Sequence, residues 1–332
     1  MIMSSKARVS VIVPNRSGEE TIEECLKAAF TSDFKNFEVV LVDDASTDNS
    51  LEIVSNYPVK LIELKEHAGV SAARNTGARN ANGDVLLFID ADCILEPDAL
   101  ALVERSVSDE TPIIGGTYTR IPFDSKNFFS TFQSIFINYS ETRAAAPDYI
   151  AAHCLAIKRE VFEKSKGFIE DSYIGVAAGV EDVEFCHRLK KAGYTLKMNP
   201  DILVRHIFNF NFSRSMKNAF KKSRIWTMYS LHNKDVLSDS GTASRGLKFN
   251  VVCCFSSIVF ALFFIWGIPF MFTINVLLNL GLIEAFYRTK GLSFAIKASA
   301  YYFLVYPIAV GLGALAGAGK YIKDFKLKGR HK

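Results

Sequence analysis

The stretch VLLFIDADCILEP (Val85–Pro97) runs five apolar residues directly into two carboxylates, Asp90 and Asp92. Short apolar runs of this kind are typical of strands that are buried on both faces of a parallel sheet. In such sheets, ligands bind at the carboxyl ends of the strands. Two carboxylates one residue apart repel each other there unless a cation lies between them, and a divalent metal ion is the usual partner. These residues alone leave open a second interpretation, an Asp-rich turn that only closes the strand.

Strand and helix patterns alternate through the N-terminal part of the chain. Strands are predicted at residues 8–14, 37–43, 59–64 and 85–90, with helices at 18–30, 48–56 and 71–82 between them. This alternation favours an α/β fold with a doubly wound, mostly parallel sheet. The second strand runs into Asp43-Asp44 as the fourth runs into Asp90. Carboxylates from two strands are therefore expected at one edge of the sheet, which favours a binding site over an isolated turn.

The segments after Pro97 are less regular. Strands are predicted at 113–120, 150–157, 195–198 and 202–206, and a helix at 180–192 that ends at Gly193. The residues between 120 and 150 are polar and aromatic and carry no assignment.

Charge and cysteine content narrow the class of protein. With 39 basic and 35 acidic residues, the net charge is only +4, which gives no overall signal for nucleic-acid binding. The six cysteines have no metal-ligand spacing and are expected to be reduced thiols of a cytosol-facing protein. The segment 1–8 is short and polar, and the apolar segment 9–13 is too short for the apolar part of a signal peptide. No signal peptide is therefore expected.

Two apolar runs in the C-terminal part are long enough to cross a membrane. Residues 249–283 contain no charged side chain, and 294–319 contain only Lys297; a spanning helix needs about 20 apolar residues. Basic residues lie before the first run and after the second, so the positive-inside rule predicts two crossings with both ends in the cytosol. Glu284–Leu292 is then the outer turn. Gly267-Ile268-Pro269 leaves open whether the first run is one kinked helix or a re-entrant pair, and buried core helices of a soluble domain are the alternative to both.

A basic segment precedes the apolar runs. Within residues 212–231, Arg214, Lys217, Lys221, Lys222 and Arg224 alternate with bulky apolar and aromatic side chains. Such a helix suits the headgroup layer of an anionic leaflet. An ordinary solvated helix is the alternative.

Four motifs in this order resemble the family 2 glycosyltransferases, which have the GT-A fold. They are VSVIVPNRSGEETIEECL (9–26), FEVVLVDDASTDNS (37–50), GVSAARNTGARNANGDVLLFIDAD (69–92) and GVEDVEFCHRLKKAGY (179–194). The resemblance covers residues 1–210 and does not extend to the apolar part. We therefore expect a GT-A domain at 1–210, a membrane-interface segment at 211–248, a transmembrane hairpin at 249–319 and a basic cytosolic tail at 320–332. The protein is expected in the cell membrane as a multi-pass protein with a cytosolic catalytic domain.

The resemblance implies a nucleotide-sugar donor, linked to UDP or GDP, and a Mg²⁺ or Mn²⁺ ion. Asp92 is expected to bind the metal and Asp90 the ribose or the metal's water shell. Asp43 and Asp44 match the position that recognises the base and ribose, and Pro14 and Asn15 line the same pocket. Arg74 offers a planar fork for base or phosphate, with pairing to a local acid as the alternative. His206 is expected as a third metal ligand, with a plain structural histidine as the alternative; His153 is given no role.

For the acceptor, the resemblance implies that Asp182 is the general base and that Glu181 orients the acceptor. A carboxylate suits this task because an alcohol must lose its proton to attack. For an isolated pair, a favourable interaction with the helix dipole would be the alternative explanation. One base and direct displacement imply inversion at the anomeric carbon.

Departures from related subfamilies narrow the acceptor. Processive synthases carry Gln-x-x-Arg-Trp, whereas this chain has Ser223-Arg224-Ile225-Trp226. Enzymes that glycosylate a polyprenyl phosphate usually continue the DxD motif with Leu-Gln, whereas this chain has Cys93-Ile94. We therefore expect a hexosyltransferase acting on a hydroxyl of a lipid-linked or other membrane-held glycan. A polyprenyl-phosphate glycosyltransferase is the enzymatic alternative, and an inactive GT-A membrane scaffold is the non-enzymatic one.

Overall fold

The computed structural model describes residues 8–170, 179–263 and 267–327. The strands are β1 (Val9–Asn15), β2 (Phe37–Asp43), β3 (Lys60–Glu63), β4 (Val85–Ile89), β5 (Cys93–Leu95), β6 (Ile113–Tyr118), β7 (Cys154–Lys158) and β8 (Lys197–His206). The α-helices are α1 (Ile22–Phe30), α2 (Ser50–Val54), α3 (Val70–Asn80), α4 (Ala99–Ser106), α5 (Phe128–Thr142), α6 (Arg159–Lys164), α7 (Glu181–Lys191), α8 (Phe212–Asn233), α9 (Arg245–Phe263), α10 (Gly267–Leu278), α11 (Leu280–Ala300) and α12 (Tyr306–Tyr321). Tyr301–Val305 and Ile322–Leu327 are π-helical.

The eight strands form one sheet in the order β3-β2-β1-β4-β7-β6-β8-β5. The first four are parallel to one another, as the alternating pattern predicts. The second half departs from a mostly parallel sheet, because β7 is antiparallel to both β4 and β6, and β5 is antiparallel to β8. The α/β class is confirmed, with a mixed sheet.

The strand directions bring the polar strand ends to one edge of the sheet. β1, β2 and β4 end there, and so do β6 and β8, which run in the same direction. β7 runs the opposite way, so this edge is where it begins. The residues at or next to this edge are Asn15, Asp43, Asp90, Tyr118, His153 and His206.

The sheet also curves. Only residues 90–92 separate β4 from β5, although β5 lies at the far end of the strand order. The sheet must therefore curl into a half-barrel that brings both of its halves to the DxD segment. Cys93 pairs with His206 on β8, which carries Asp92 to the end of that strand.

Apolar strands and aromatic side chains form the core beneath this edge. β4 is fully buried along Val85–Ile89. Phe88 packs against Phe162 and Phe168 with ring centroids 5.2 Å away in each case, and Phe168 lies 4.6 Å from Phe185 on α7. This contact fixes the start of α7, and thus Glu181 and Asp182, relative to the end of β4.

Five features differ from the sequence pattern. The unassigned segment contains α5, β5 and α4 follow the DxD motif without having been predicted, and α6 likewise follows β7. The two short strands predicted around residue 200 are one strand, β8. Pro200 is accommodated because the register between β8 and β6 shifts between Gly115 and Thr117, where no regular ladder bond is needed.

The chain divides into two compact units. The first comprises the residues up to Phe123 together with Glu141–Phe208, and contains the sheet. The second comprises Asp124–Ser140 and the residues from Asn209 onward. In the second unit, α12 packs on α8 at glycines: a Cβ on Gly313 or Gly317 would lie 2.4 Å from the carbonyl oxygen of Phe220 or Arg224, respectively.

The second unit also holds a buried polar network between apolar helices. Asn275 donates to Asn250 at 2.7 Å, and Asn250 donates to the Tyr302 carbonyl at 2.7 Å. The Tyr302 hydroxyl donates to Asn279 at 3.0 Å. These amides are buried and paired, which satisfies the demand that apolar surroundings place on polar groups.

The helix boundaries differ from those of the predicted membrane hairpin. The first apolar run is divided between α9, α10 and the start of α11, and Glu284–Leu292 is not a loop but part of α11, which bends at Gly291 (φ 78°). An ion pair between Arg288 and Glu284 at 2.6 Å supports the helical turn there. Within the residues that the structure describes, one helical stretch, 280–324, is long and apolar enough to cross a membrane, and 44% of its most apolar window is buried within the protein. A core helix of a soluble protein meets the same criterion, and a multi-pass topology is not supported.

Candidate active site

The DxD carboxylates occupy the link between β4 and β5. Asp90 accepts a hydrogen bond from Arg74 Nη2 at 2.7 Å. Asp92 Oδ2 lies 3.4 Å from His206 Nε2. Their side chains are 35% and 40% exposed, so both carboxylates are partly accessible to solvent.

The two carboxylates differ in charge state because their surroundings differ. Burial alone would raise the pKa of Asp90, but Arg74, His153 and His206 together hold it below its usual range. Burial by the surrounding protein, together with the charge of Asp90, raises the pKa of Asp92 to about 7. A carboxylate with this environment is ready to exchange its proton for a metal cation near neutral pH.

Arg74 connects the DxD motif with the predicted catalytic helix. It lies on α3, is 4% exposed, and donates to Glu181 Oε1 at 3.2 Å as well as to Asp90. Its guanidinium also lies 5.5 Å from the Phe168 ring centroid. The alternative of an acid-paired arginine thus describes the contacts of this side chain. The acids that it pairs with are themselves predicted site residues.

Glu181 and Asp182 open α7. The backbone N–H of Gly179 donates to Glu181 Oε2 at 2.6 Å, and the N–H of Val183 donates to Asp182 Oδ1 at 2.8 Å. Carboxylates are favourable at this position because the helix N-terminus carries partial positive charge. Burial by itself would lower the pKa of the Arg74 guanidinium, but the charges of Asp90 and Glu181 raise it. Asp182 is close enough to Arg74 to add to this rise.

The predicted nucleotide end lies two strands away from Asp90. Asp43, 2% exposed, accepts from Asn15 Nδ2 at 3.0 Å and from the Ser46 N–H at 2.9 Å. Asp44 accepts from the N–H groups of Ala68 and Gly69 at 2.6 and 3.0 Å. Asp44 therefore anchors the loop before α3, whereas Asp43 holds Asn15 and the Ser46 backbone at the wall of the predicted nucleotide site.

Asn15 leaves an acceptor at this wall. Its Oδ1 atom is buried and has no hydrogen-bond partner among the described residues. A Cβ on Gly18 would lie 2.3 Å from that oxygen, so only glycine permits this close approach. Pro14 is half-buried beside it at the end of β1.

The donors around Asp92 suit a divalent metal ion. Ligand atoms of Asp92, Cys93 and His206 lie within 4.8 Å of one another. A carboxylate and an imidazole together suit Mn²⁺, and the carboxylate also suits Mg²⁺. Cys93 is a weak candidate for a metal ligand, because the thiolate is the form that binds metals. Burial raises the pKa of its thiol most, and the charges of Asp92 and Asp90 raise it further.

Several residues of this site were not predicted from the sequence. His67 lies 2.7 Å from Asp44, and His153 and Glu141 lie next to the DxD carboxylates. Glu141 is the one charged residue of α5. A single charge in an otherwise uncharged helix was the only feature of the sequence that could have marked Glu141 as a functional residue.

Comparison with known proteins identifies the family of this domain. The model of the glycosyl transferase family 2 matches residues 10–165, which includes both aspartate motifs at the sheet edge. Residues 10–165 therefore form a family 2 glycosyltransferase domain. The glycosyltransferase domain is 38% identical over 117 residues to glycosyltransferase GlyA of Streptococcus pneumoniae serotype 4, covering 33% of this chain and 17% of that protein. Glycosyltransferase AglE of Haloferax volcanii is 26% identical over 232 residues, covering 66% of this chain and 74% of that protein.

A solved structure supports the GT-A fold. The mannosyltransferase PcManGT from Pyrobaculum calidifontis, in complex with GDP-Man and Mn²⁺, aligns with a TM-score of 0.59 over 97% of this chain and 89% of that one, at 19% identity. The chain spans only 17% to 42% of the length of GlyA and of the next four curated relatives that it matches. The family and the fold are thus established, and the roles of individual residues stay predictions.

Proposed function

We propose that this chain is a metal-dependent, inverting glycosyltransferase. It moves one hexose from a UDP- or GDP-linked donor to a hydroxyl of a membrane-held, lipid-linked glycan. The observation that carries the proposal is the salt-bridged array in which Arg74 joins Asp90 of the DxD motif to Glu181 beside Asp182. This array puts the predicted donor carboxylate and the predicted acceptor-side carboxylates around one buried cation.

The donor end of the proposed site binds and orients. Asp43 and the buried oxygen of Asn15 accept hydrogen bonds from base or ribose, and Asp90 from the ribose. Asp92 and His206 would hold the metal, and a bound Mg²⁺ or Mn²⁺ supplies Lewis-acid stabilisation of the charge that grows on the leaving diphosphate. PcManGT is in complex with GDP-Man and Mn²⁺, which supports a donor and metal of this kind.

Asp182 removes the acceptor proton in this proposal. An alcohol is a poor nucleophile near neutral pH, and a positioned carboxylate contributes roughly 10²- to 10⁴-fold to the rate. Glu181, held by Arg74 and the Gly179 N–H, orients the acceptor. One base on the acceptor side and direct displacement give inversion at the anomeric carbon.

The decisive experiment is Asp182→Asn assayed with the lipid-linked acceptor. If the acceptor is a hydroxyl, the transfer rate falls by roughly 10²- to 10⁴-fold, while affinity for the nucleotide sugar changes little. A polyprenyl phosphate is already ionised and needs no base. A transfer rate within about threefold of wild type would therefore refute the hydroxyl acceptor and favour the phosphate acceptor.

Asp92→Asn tests the metal assignment, because the substitution is nearly isosteric. Divalent-dependent activity should be lost while the fold persists. Normal activity at ordinary metal concentrations would refute the role of Asp92. If wild-type protein neither binds nor hydrolyses any member of a panel of UDP- and GDP-sugars, the scaffold alternative replaces the enzyme.

Membrane attachment is the remaining part of the proposal. The stretch 280–324 and the basic helix α8 would hold the chain at the cytosolic face of the cell membrane. Alkaline carbonate extraction tests attachment, because a spanning helix stays with the lipid whereas a peripheral protein is released. Release of all the protein would leave only a surface association.

A further inference from the structure

A buried contact between a histidine and a glutamate lies next to the DxD carboxylates, at the start of the strand beside Asp90. Glu141, in the last turn of α5, has its Oε2 atom 3.4 Å from His153 Nε2. The Thr117 hydroxyl donates to the same oxygen at 2.6 Å. The two side chains of the pair are 7% and 8% exposed, so almost no water screens them.

Fold stability does not account for this pair. A carboxylate in the last turn of a helix opposes the helix dipole. Removing two charges from water also offsets much of what a buried ion pair gains, and apolar residues of similar size often serve as well. A buried histidine and glutamate beside a cluster of site carboxylates therefore indicate a functional role.

Stacked rings connect the pair with a predicted metal ligand. His153 stacks on Tyr118 with ring centroids 4.0 Å apart, and Tyr118 presents its ring to His206 at 4.9 Å with the planes 80° apart. Phe208 stacks on His206 with ring centroids 3.9 Å apart and also lies 5.5 Å from Tyr118. The His206 imidazole contacts both of these rings, and its Nε2 atom lies 3.4 Å from Asp92 Oδ2.

The position of His153 in the sheet agrees with this role. Ile89 at the end of β4 pairs with Cys154 at the start of β7, so Asp90 and His153 are the next residues outward on neighbouring strands. The charge of His153 helps to lower the pKa of Asp90 and offsets part of the rise at Asp92. The pair thus lies close to both DxD carboxylates as well as to His206.

We propose that Glu141 and His153 are positioning residues for the metal site, and that Glu141 acts through His153 and Tyr118 to hold His206 and Asp92 in a metal-binding arrangement. This inference rests on the proposed function, since it concerns the divalent cation of the same site. Outer-layer partners of metal ligands typically change metal affinity by roughly 10- to 100-fold.

The test measures Mn²⁺ binding, which needs no acceptor. Full-length protein is titrated with Mn²⁺ in the presence of saturating UDP or GDP, whichever the wild type binds, and free Mn²⁺ is read by electron paramagnetic resonance. In Glu141→Gln the Mn²⁺ dissociation constant should rise by roughly tenfold or more. His153→Gln should give a similar increase.

The double variant separates a chain of contacts from two independent effects. If Glu141 acts through His153, E141Q/H153Q binds Mn²⁺ no more weakly than H153Q alone. Increases that multiply in the double variant would overturn the proposal. The double variant also replaces both charges with amides, so it tests the idea even if E141Q leaves a buried charge and fails to fold.

A matched control is available in the same unit. His187 on α7 has its Nε2 atom 3.0 Å from Asp148 Oδ2, so an imidazole meets a carboxylate there as it does at His153 and Glu141. Asp148→Asn should leave Mn²⁺ affinity unchanged. Wild-type affinity in E141Q and H153Q would refute this inference alone, whereas a wild type that binds neither nucleotide nor Mn²⁺ would refute the proposed function itself.

Discussion

Replacing Arg74 with methionine should loosen the link between α3 and β4 at the centre of the site. The substitution keeps an apolar stem and removes the guanidinium that lies between Asp90 and Glu181. Two carboxylates then face each other without the cation that pairs with both. Because Arg74 is 5% exposed at its side chain and Glu181 14%, water replaces little of the lost interaction.

The expected loss is about 3 kcal/mol of local stability. Breaking a buried ion pair typically destabilises a protein by about 3 to 5 kcal/mol. We take the lower end because Asp90 is 35% exposed and is partly screened by solvent. Each 1.4 kcal/mol corresponds to about a factor of ten, so opening reactions of α3 and β4 should become roughly 10²-fold more frequent.

Amide hydrogen exchange with mass spectrometry measures this change without requiring two-state unfolding of the whole chain. Arg79→Met is the matched control, because Arg79 lies on the same helix but pairs with Glu170 at 3.5 Å, with side chains 62% and 47% exposed. An exposed pair contributes only about 0 to 1 kcal/mol. Exchange of the α3 and β4 amides in R74M within about threefold of R79M would refute the reasoning.

The pH dependence of the same variant follows from Asp90. Burial by itself would raise the pKa of Asp90, but Arg74 contributes most to the opposing effect that lowers it. The folded state therefore favours the ionised carboxylate. That stabilisation is present above the ordinary value of about 4 and is lost as the pH falls through the lowered pKa. Wild type and R74M should therefore differ most near neutral pH and converge in acid.

Three further outcomes are expected. Gly313→Ala should destabilise the α8–α12 packing by about 1 to 3 kcal/mol, because its Cβ would meet the Phe220 carbonyl, whereas Gly319→Ala on the same helix has open space and should be neutral or mildly stabilising in thermal melts. Burial raises the pKa of the Cys154 thiol to about 12, so Ellman's reagent at neutral pH should modify it only in denatured protein, and prompt labelling of the native protein would contradict its burial. Because the pKa of Asp92 is raised to about 7, protons compete with Mn²⁺ there, and Mn²⁺ affinity measured by calorimetry should rise with pH to about pH 8; a flat profile would count against Asp92 as a ligand.

The sequence by itself determined the first half of the sheet and most of the polar strand ends. β2 has the predicted bounds, and the predicted β1 and β4 differ from the observed strands by a residue at their ends. This part is predictable because a buried parallel strand is a short apolar run, and because the direction of parallel strands fixes which ends share an edge. Asp43 and Asp90 therefore came to one edge without any knowledge of side-chain contacts.

The C-terminal part was less accessible to the same reasoning. Apolar composition indicates burial, either in lipid or in protein, and does not say where helices end. Gly291 bends α11 within a segment that charge alone had assigned to a loop. The buried asparagine network and the close packing at Gly313 depend on contacts between helices that no single apolar run records.

Only the tertiary structure decided how the second half of the sheet completes the site. The antiparallel insertion of β7 between β4 and β6 brings His153 next to Asp90, and the curl of the sheet brings His206 to Asp92. Arg74 and Glu181 are 107 residues apart in the chain, and Thr117 and Glu141 come from a strand and a helix with unrelated patterns. Periodicity records which face of an element is buried, whereas strand partners and ion pairs depend on long-range packing that leaves no local signal in the sequence.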